Sequence, residues 1–290
     1  MRFPRHMTLE LTAKCNFRCP YCYCLWHEFP AIGKPELDAD DWKKILDRCA
    51  ADGVEDILFT GGEVLLRPDL FTILSHARRR LSRAELSVFT NASRLDEPLI
   101  IRFKRRRIRI ATSLQGLATY GAMTGTRRKF HRVLALIARA SELKWPIAVS
   151  MTVTKANLHE AVDMFAAAAL SGASSVLAGP VMASGRALAH PELMLSREEW
   201  NGVKDAIRAL PNVGVPFSFC DEFYCECRHD QPSARLRRKW RDPNHAPCPA
   251  GRDFGVIGPA GHFRPCLHLP ESAEICYTMR RSSPRITNYE

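Results

Sequence analysis

The chain has 290 residues, 46% hydrophobic and 25% charged, enough to bury a full core as one large domain or one domain with a small appendage. No run approaches the ~18 uninterrupted apolar residues of a membrane span, and no apolar signal region precedes His6, so a cytoplasmic location is expected and a membrane partner is not. The net charge of +11 raises nucleic acid as a partner, yet the runs Arg78–Arg80 and Lys104–Arg107 fall where helices should end and cations have a local reason to sit; an RNA surface is not expected, and an acidic peptide would be served equally well.

In chain order, His6 to Leu11 reads as a strand. The stretch after it, Cys15-Asn-Phe-Arg-Cys19-Pro-Tyr-Cys22, sets three thiols at C-x3-C-x2-C spacing. Three close thiols hold a metal but leave a four-iron cube one ligand short, and the open position lets a substrate or cosubstrate bind directly. Eleven cysteines without a secretory signal point to metal ligands rather than disulfides. Ten fall in two groups, Cys15 to Cys24 and Cys220 to Cys276, while Cys49 sits in an amphipathic pattern with Trp42, Ile45 and Leu46 and reads as a small buried hydrophobe.

Beyond the first cysteines, strand and helix signals alternate. Asp38 to Ala51 is a helix with an acidic first turn and Gly53 past its end. Strand signals follow at Asp56–Thr60, Glu85–Thr90, Ile108–Leu114, Pro146–Thr154 and Ser174–Ala178; helix signals separate them at Pro68–Arg79, from Asp96, at Lys129–Leu143 and at Leu158–Leu170. Six strands each followed by a helix or loop imply an α/β fold, a parallel sheet curved into a partial TIM-like (β/α)6 barrel. Ligand loops then lie beyond the strand C-termini. Cys15–Cys22, Gly61-Gly62-Glu63, Asn91 and Ser113-Leu-Gln115-Gly occupy those places, so four motifs should share one rim.

The pattern changes between Gly185 and Ser196. Ser196-Arg-Glu-Glu-Trp200 starts another helix, and beyond it the chain is rich in cysteine, proline and arginine, with a hairpin-like segment around Gly258-Pro-Ala-Gly261. The expected division is residues 1–190 and 191–290.

Cys15, Cys19 and Cys22, with Tyr21 before the last thiol, resemble the signature of the radical S-adenosylmethionine (SAM) enzymes. The resemblance runs through Phe59-Thr-Gly-Gly-Glu63, Phe89-Thr-Asn91, Thr112-Ser-Leu-Gln-Gly116 and Val153-Thr-Lys-Ala-Asn157, covering residues 6–180. It implies a 4Fe–4S cluster on the three thiolates and SAM at the open iron, cleaved to a 5′-deoxyadenosyl radical that takes hydrogen from substrate. It further implies that Gly61 and Gly62 permit close backbone approach, that Glu63 offers an anion to the SAM ammonium, and that Asn91 belongs to the cofactor pocket. Ser113 and Gln115 would face the ribose, Tyr21 the adenine, and Arg127 or Arg128 the SAM carboxylate. Val64, Ala92 and Gln115 stand where the family more often has proline, glycine and aspartate. A structural zinc site completed by Cys24 or His27 is the alternative for this group.

Cys248, Gly261 and Cys266 resemble the first half of a SPASM/twitch extension, in which a β-hairpin carries an auxiliary iron–sulfur cluster. By that resemblance Cys227, or its neighbours Cys220 and Cys225, and Cys276 would complete the ligands; a zinc ribbon is the alternative. The later cysteine run of a full SPASM domain is absent, so one auxiliary cluster at most is expected. The function implied is modification of a ribosomal peptide by crosslinking or side-chain oxidation, with flavodoxin or ferredoxin as electron donor. A radical dehydrogenase or tailoring enzyme for a small molecule, and a non-catalytic metal protein that binds RNA, are the alternatives.

Overall fold

The computed structural model describes residues 2–24, 35–127, 129–211, 214–220, 250–268, 277–278 and 285–286. His27, Arg128, Cys225, Cys227, Cys248 and Cys276, all singled out from sequence, lie outside the described residues.

Six βα steps form as the hydrophobic pattern dictates. β1 (His6–Glu10) leads through the cysteine loop to α1 (Ala39–Asp52). Asp38 caps α1 by accepting from the amides of Asp40 and Asp41, and Gly53 ends it in the left-handed conformation. Trp42, Ile45, Leu46 and Cys49 make its buried stripe, each large side chain contributing about 1.5–3 kcal/mol. β2 (Asp56–Thr60), α2 (Leu70–Arg80), β3 (Glu85–Thr90), α3 (Glu97–Arg105) and β4 (Arg109–Ser113) follow. A short α4 (Tyr120–Thr124), which the sequence reading did not isolate, precedes α5 (His131–Glu142), β5 (Ala148–Val153), α6 (Ala161–Leu170) and β6 (Ser175–Pro180). On β3 to β6 every second residue is buried against the helices, as a two-residue period requires.

Neither edge of the sheet stops at residue 190. α7 (Arg197–Arg208) starts with a capping box made by Ser196 and Glu199, and its Trp200, Val203 and Ile207 join the same hydrophobic core as α1 to α6. β7 (Phe217–Phe219) pairs in parallel with β6. On the other side β8 (Phe254–Ile257) pairs in parallel with β1, and β9 (His262–Arg264) returns antiparallel to it, followed by β10 (Tyr277–Thr278) and β11 (Arg285–Ile286). The order is β11-β10-β9-β8-β1-β2-β3-β4-β5-β6-β7, an open sheet with β1 to β6 at its centre. The change in composition near residue 190 therefore falls within a continuous sheet.

Because β1 to β8 run parallel, their C-terminal ends form one rim and the helices return to the opposite floor. Among the described residues no helix is long and apolar enough to cross a membrane.

Ala92, just past β3, is buried with φ 57°, in the left-handed region where glycine is favoured. A side chain there costs roughly 1–2 kcal/mol, against about 0.5–1 kcal/mol that glycine loses through unfolded-state freedom. Ala92→Gly is expected to raise stability by about 0.5 kcal/mol and Tm by about 1 °C, read by thermal unfolding. A lower Tm would mean that the buried methyl outweighs the strain.

Candidate functional site

The loop that carries the three thiols is held from every side by the rim. From β2, the amide of Gly62 donates to Thr12 O at 2.7 Å and that of Glu63 to Lys14 O at 2.8 Å. A methyl at Gly62 would lie 2.2 Å from Lys14 O, so the pair of glycines admits the loop's own backbone. From β3, Asn91 Nδ2 donates to Asn16 Oδ1 at 3.0 Å and lies 3.9 Å from Cys15 Sγ. From the end of α4, Thr124 O accepts from Arg18 N at 3.1 Å and lies 3.9 Å from Cys19 Sγ. From β6, the turn Ser184-Gly185-Arg186 closes the last side: Arg186 N donates to Cys22 O at 2.9 Å, Arg186 Nη1 to Cys19 O at 3.5 Å, and Ser184 Oγ to Tyr23 O at 3.3 Å.

The three thiols lie close enough to raise one another's proton affinity. Burial is the larger cause: it pushes Cys19 up to about 12, against a hydrogen bond from Tyr21 that lowers it, with Cys22 and Cys15 adding repulsion. Cys15 is raised by burial too, partly offset by the Phe17 amide. The Arg186 guanidinium favours the thiolate at both Cys15 and Cys19. Cys24, buried beside Cys22 and 3.8 Å from Gly61 O, is raised most by its hydrogen bond to Cys22 and then by burial. These thiols become strong anionic ligands once metal binding displaces their protons to solvent.

Among the described residues no three His, Cys, Asp or Glu side chains converge as a single metal ion needs. Thiolates on separate corners of an iron–sulfur cube have no such requirement. Three thiols with an open fourth corner fit a cluster with three-cysteine ligation; His27, one candidate fourth ligand of the zinc alternative, lies outside the described residues.

The remaining residues named from sequence fall into two groups. Tyr21 and Asn91 touch the cysteine loop, and Ser113 ends β4 half-buried. Glu63 and Gln115 are turned inward instead. Glu63 has no exposed surface; its Oε1 accepts from Thr90 Oγ1 at 2.7 Å and Leu65 N at 2.9 Å, and its Oε2 from Asn91 N at 2.7 Å. Burial pushes this carboxyl up and the three donors oppose it. Its anion ties the β2 loop to the end of β3. Gln115 is buried and accepts from Thr152 N at 2.6 Å, which fixes the end of β4 to β5. Arg127 is exposed, and the guanidinium that faces the thiols is Arg186, which the sequence reading missed. Its only sequence signal was Gly185 before it, now seen at φ 56° with no room for a methyl against Cys22 O.

Of the second cysteine group, Cys266 is buried just past β9 and accepts from His268 N at 3.5 Å. The His268 ring meets Tyr23 edge-on at 5.8 Å, which brings this segment against the first cysteine loop. Arg264, on β9, makes a fully buried ion pair with Glu10 at the end of β1. Cys220 follows β7, packed over Gly179.

Residues 9–168 match the family described as the Radical SAM superfamily. The chain is 30% identical over 276 residues to the PqqA peptide cyclase of Gluconobacter oxydans, covering 91% of this chain and 70% of that protein. It is 30% identical over 189 residues to the sporulation killing factor maturation protein SkfB of Bacillus subtilis, covering 63% and 44%. The AdoMet-dependent heme synthase of Methanosarcina barkeri is likewise 30% identical, over 59% of this chain and 48% of its own, so the chain spans about half the length of these two relatives. The fold is similar to Streptococcus suis SuiB bound to its precursor peptide SuiA, at TM-score 0.67 and 18% identity over 92% of this chain and 60% of that one.

Proposed function

Because the chain belongs to the Radical SAM superfamily, whose enzymes use a 4Fe–4S cluster and SAM, we propose that it modifies a ribosomally made peptide. The observation that carries the chemistry is the convergence of the rim segments after β2, β3, α4 and β6 on the loop of Cys15, Cys19 and Cys22. The likeness to the PqqA peptide cyclase over most of this chain supports the peptide. A small molecule is the second reading, favoured by the likeness to a heme synthase.

In this reading Cys15, Cys19 and Cys22 hold the cluster. When bound, the cluster and SAM supply a 5′-deoxyadenosyl radical that takes hydrogen from substrate. The protein's own part is to hold, orient and exclude water. Glu63 and Gln115 fix the strand ends, Tyr21 donates to Cys19, and Asn91 braces Cys15 through Asn16. Arg186 places a fixed positive charge behind the thiolates. In the same reading Gly61, Gly62 and Ser113, with Arg127, would contribute to the SAM site. Cys266, together with Cys227, Cys248 and Cys276, would hold an auxiliary cluster in the 191–290 region, and a flavodoxin or ferredoxin would deliver electrons. So many free thiols suit a reducing, cytoplasmic setting.

Anaerobically reconstituted protein is expected to release 5′-deoxyadenosine from SAM and dithionite. Cys15→Ala, Cys19→Ala and Cys22→Ala should each abolish that release, whereas Cys24→Ala should retain it. Retention in any of the first three would overturn the ligand assignment, and a fully loaded wild-type protein that leaves SAM intact would overturn the enzyme reading.

A further inference from the structure

The floor of the sheet carries a concentration of charge that the rim does not use. α2, α3 and α5 all end there, and segments 78–83, 102–109 and 144 hold eleven Lys and Arg and no Asp or Glu. They form one surface: Arg78 Nη2 donates to Arg107 O at 2.8 Å, and Lys104 Nζ to Leu143 O at 2.7 Å.

Cations suit helix C-termini because carbonyls there lack partners. The structure shows which cations do that work. Arg78 alone donates to the carbonyls of Leu81, Ala84, Arg106 and Arg107, and Lys104 serves the end of α5. Arg80 pairs with Asp47 at 2.7 Å and Arg109 with Glu85 at 3.3 Å. Arg79, Arg83, Arg105 and Arg107 stay exposed, with no carboxylate partner among the described residues.

Backbone strain is a second, independent sign. Arg107 and Lys144 stand just past α3 and α5 with φ 53° and 56°, where glycine is the favoured residue and a side chain costs roughly 1–2 kcal/mol. At both places the chain tolerates the strain and carries a cation. The charges also oppose one another: burial first, and then Arg107, hold the Arg78 guanidinium below its ordinary value.

We propose that this floor, centred on Arg79, Arg83, Arg105 and Arg107, docks a carboxylate-rich segment of the polypeptide substrate, remote from the residue modified at the rim. The proposal rests on the peptide-modifying reading above. Arginine forks match carboxylates in pairs. The six residues of β3 set floor and rim about 20 Å apart. Passing outside the helix layer adds about 10 Å, so roughly ten extended residues separate the acidic segment from the modified one.

The test is fluorescence anisotropy of the full chain with a fluorescein-labelled glutamate-rich dodecapeptide at several salt concentrations. A floor variant, R79E/R83E/R105E/R107E, is compared with a charge-matched variant nearer the rim, K43E/K44E/K129E/K155E. The expected result is salt-sensitive binding that the floor variant weakens about tenfold or more and the control variant changes about threefold or less. Equal weakening by both variants, no binding to wild type, or tighter binding of a 12-nucleotide uridine RNA abolished by the floor variant would each overturn it. Release of 5′-deoxyadenosine without substrate should be the same in the floor variant and wild type. Loss of that release from wild type would overturn the enzyme reading while leaving the binding result standing.

Discussion

Gly62→Ala is expected to give a folded protein that no longer holds its cluster. The added methyl would sit 2.2 Å from Lys14 O and 3.0 Å from Ala13 O, both backbone atoms that cannot rotate aside. To reach ordinary contact the loop must retreat by about 1 Å, which breaks the bonds from Gly62 N to Thr12 O and from Glu63 N to Lys14 O. Two lost backbone bonds and a shifted loop cost about 2–4 kcal/mol in a sheet that is otherwise intact. Displacement on that scale is enough to reduce a positioned reaction about a hundredfold. Iron per chain, the visible absorbance of the cluster and 5′-deoxyadenosine yield should all fall while circular dichroism stays native. A Gly62→Ala protein with wild-type iron and SAM cleavage would show that the contact with the cysteine loop is dispensable.

The second large effect concerns Glu10 and Arg264. Both are fully buried, one at the rim end of β1 and the other on β9. Removing one partner strands the other charge in a dry interior, so Glu10→Leu or Arg264→Met should each cost about 3–5 kcal/mol. For a chain of this length that lowers Tm by roughly 5–8 °C. The double variant should recover much of the loss, because two apolar side chains leave no charge behind. Thermal unfolding of the three proteins decides it: additive losses in the double variant would mean that packing, not charge pairing, holds β9 to β1.

The sequence revealed those elements whose signals are local. Asp56–Thr60, a short apolar run, and Glu85–Thr90, which alternates, appear as β2 and β3 with the expected bounds, and Asp38 and Gly53 bracket α1 through their own side chain and backbone. β7 was invisible because three residues carry no period. β8 was read as half of a hairpin, but its pairing with β1, more than two hundred residues earlier, has no local trace. At the site, motif resemblance named Glu63 and Gln115 without revealing which way their side chains turn. That is decided by Thr90, Asn91 and Thr152 on neighbouring strands. Arg186 lies between motifs, on a turn that acquires its meaning only when β6 brings it beside Cys19 and Cys22. Ala92 is the converse case, a departure noticed in sequence whose physical weight appears only in its φ.

The pairing of β1 with β8 also fixes an order of events. The strand that leads into the cysteine loop is made long before its partner on one side, which begins at Phe254. During synthesis β2 covers only one edge of β1, and the other stays an unpaired template while most of the chain emerges. Contacts of such separation form late and slowly. Glu10 must wait as long for Arg264, which lies on the same returning hairpin. A nascent chain stopped near residue 220 would thus expose a sticky strand beside three unligated thiols. Cluster insertion before β8 and β9 arrive would risk capturing that species, so maturation of the metal site should follow their synthesis.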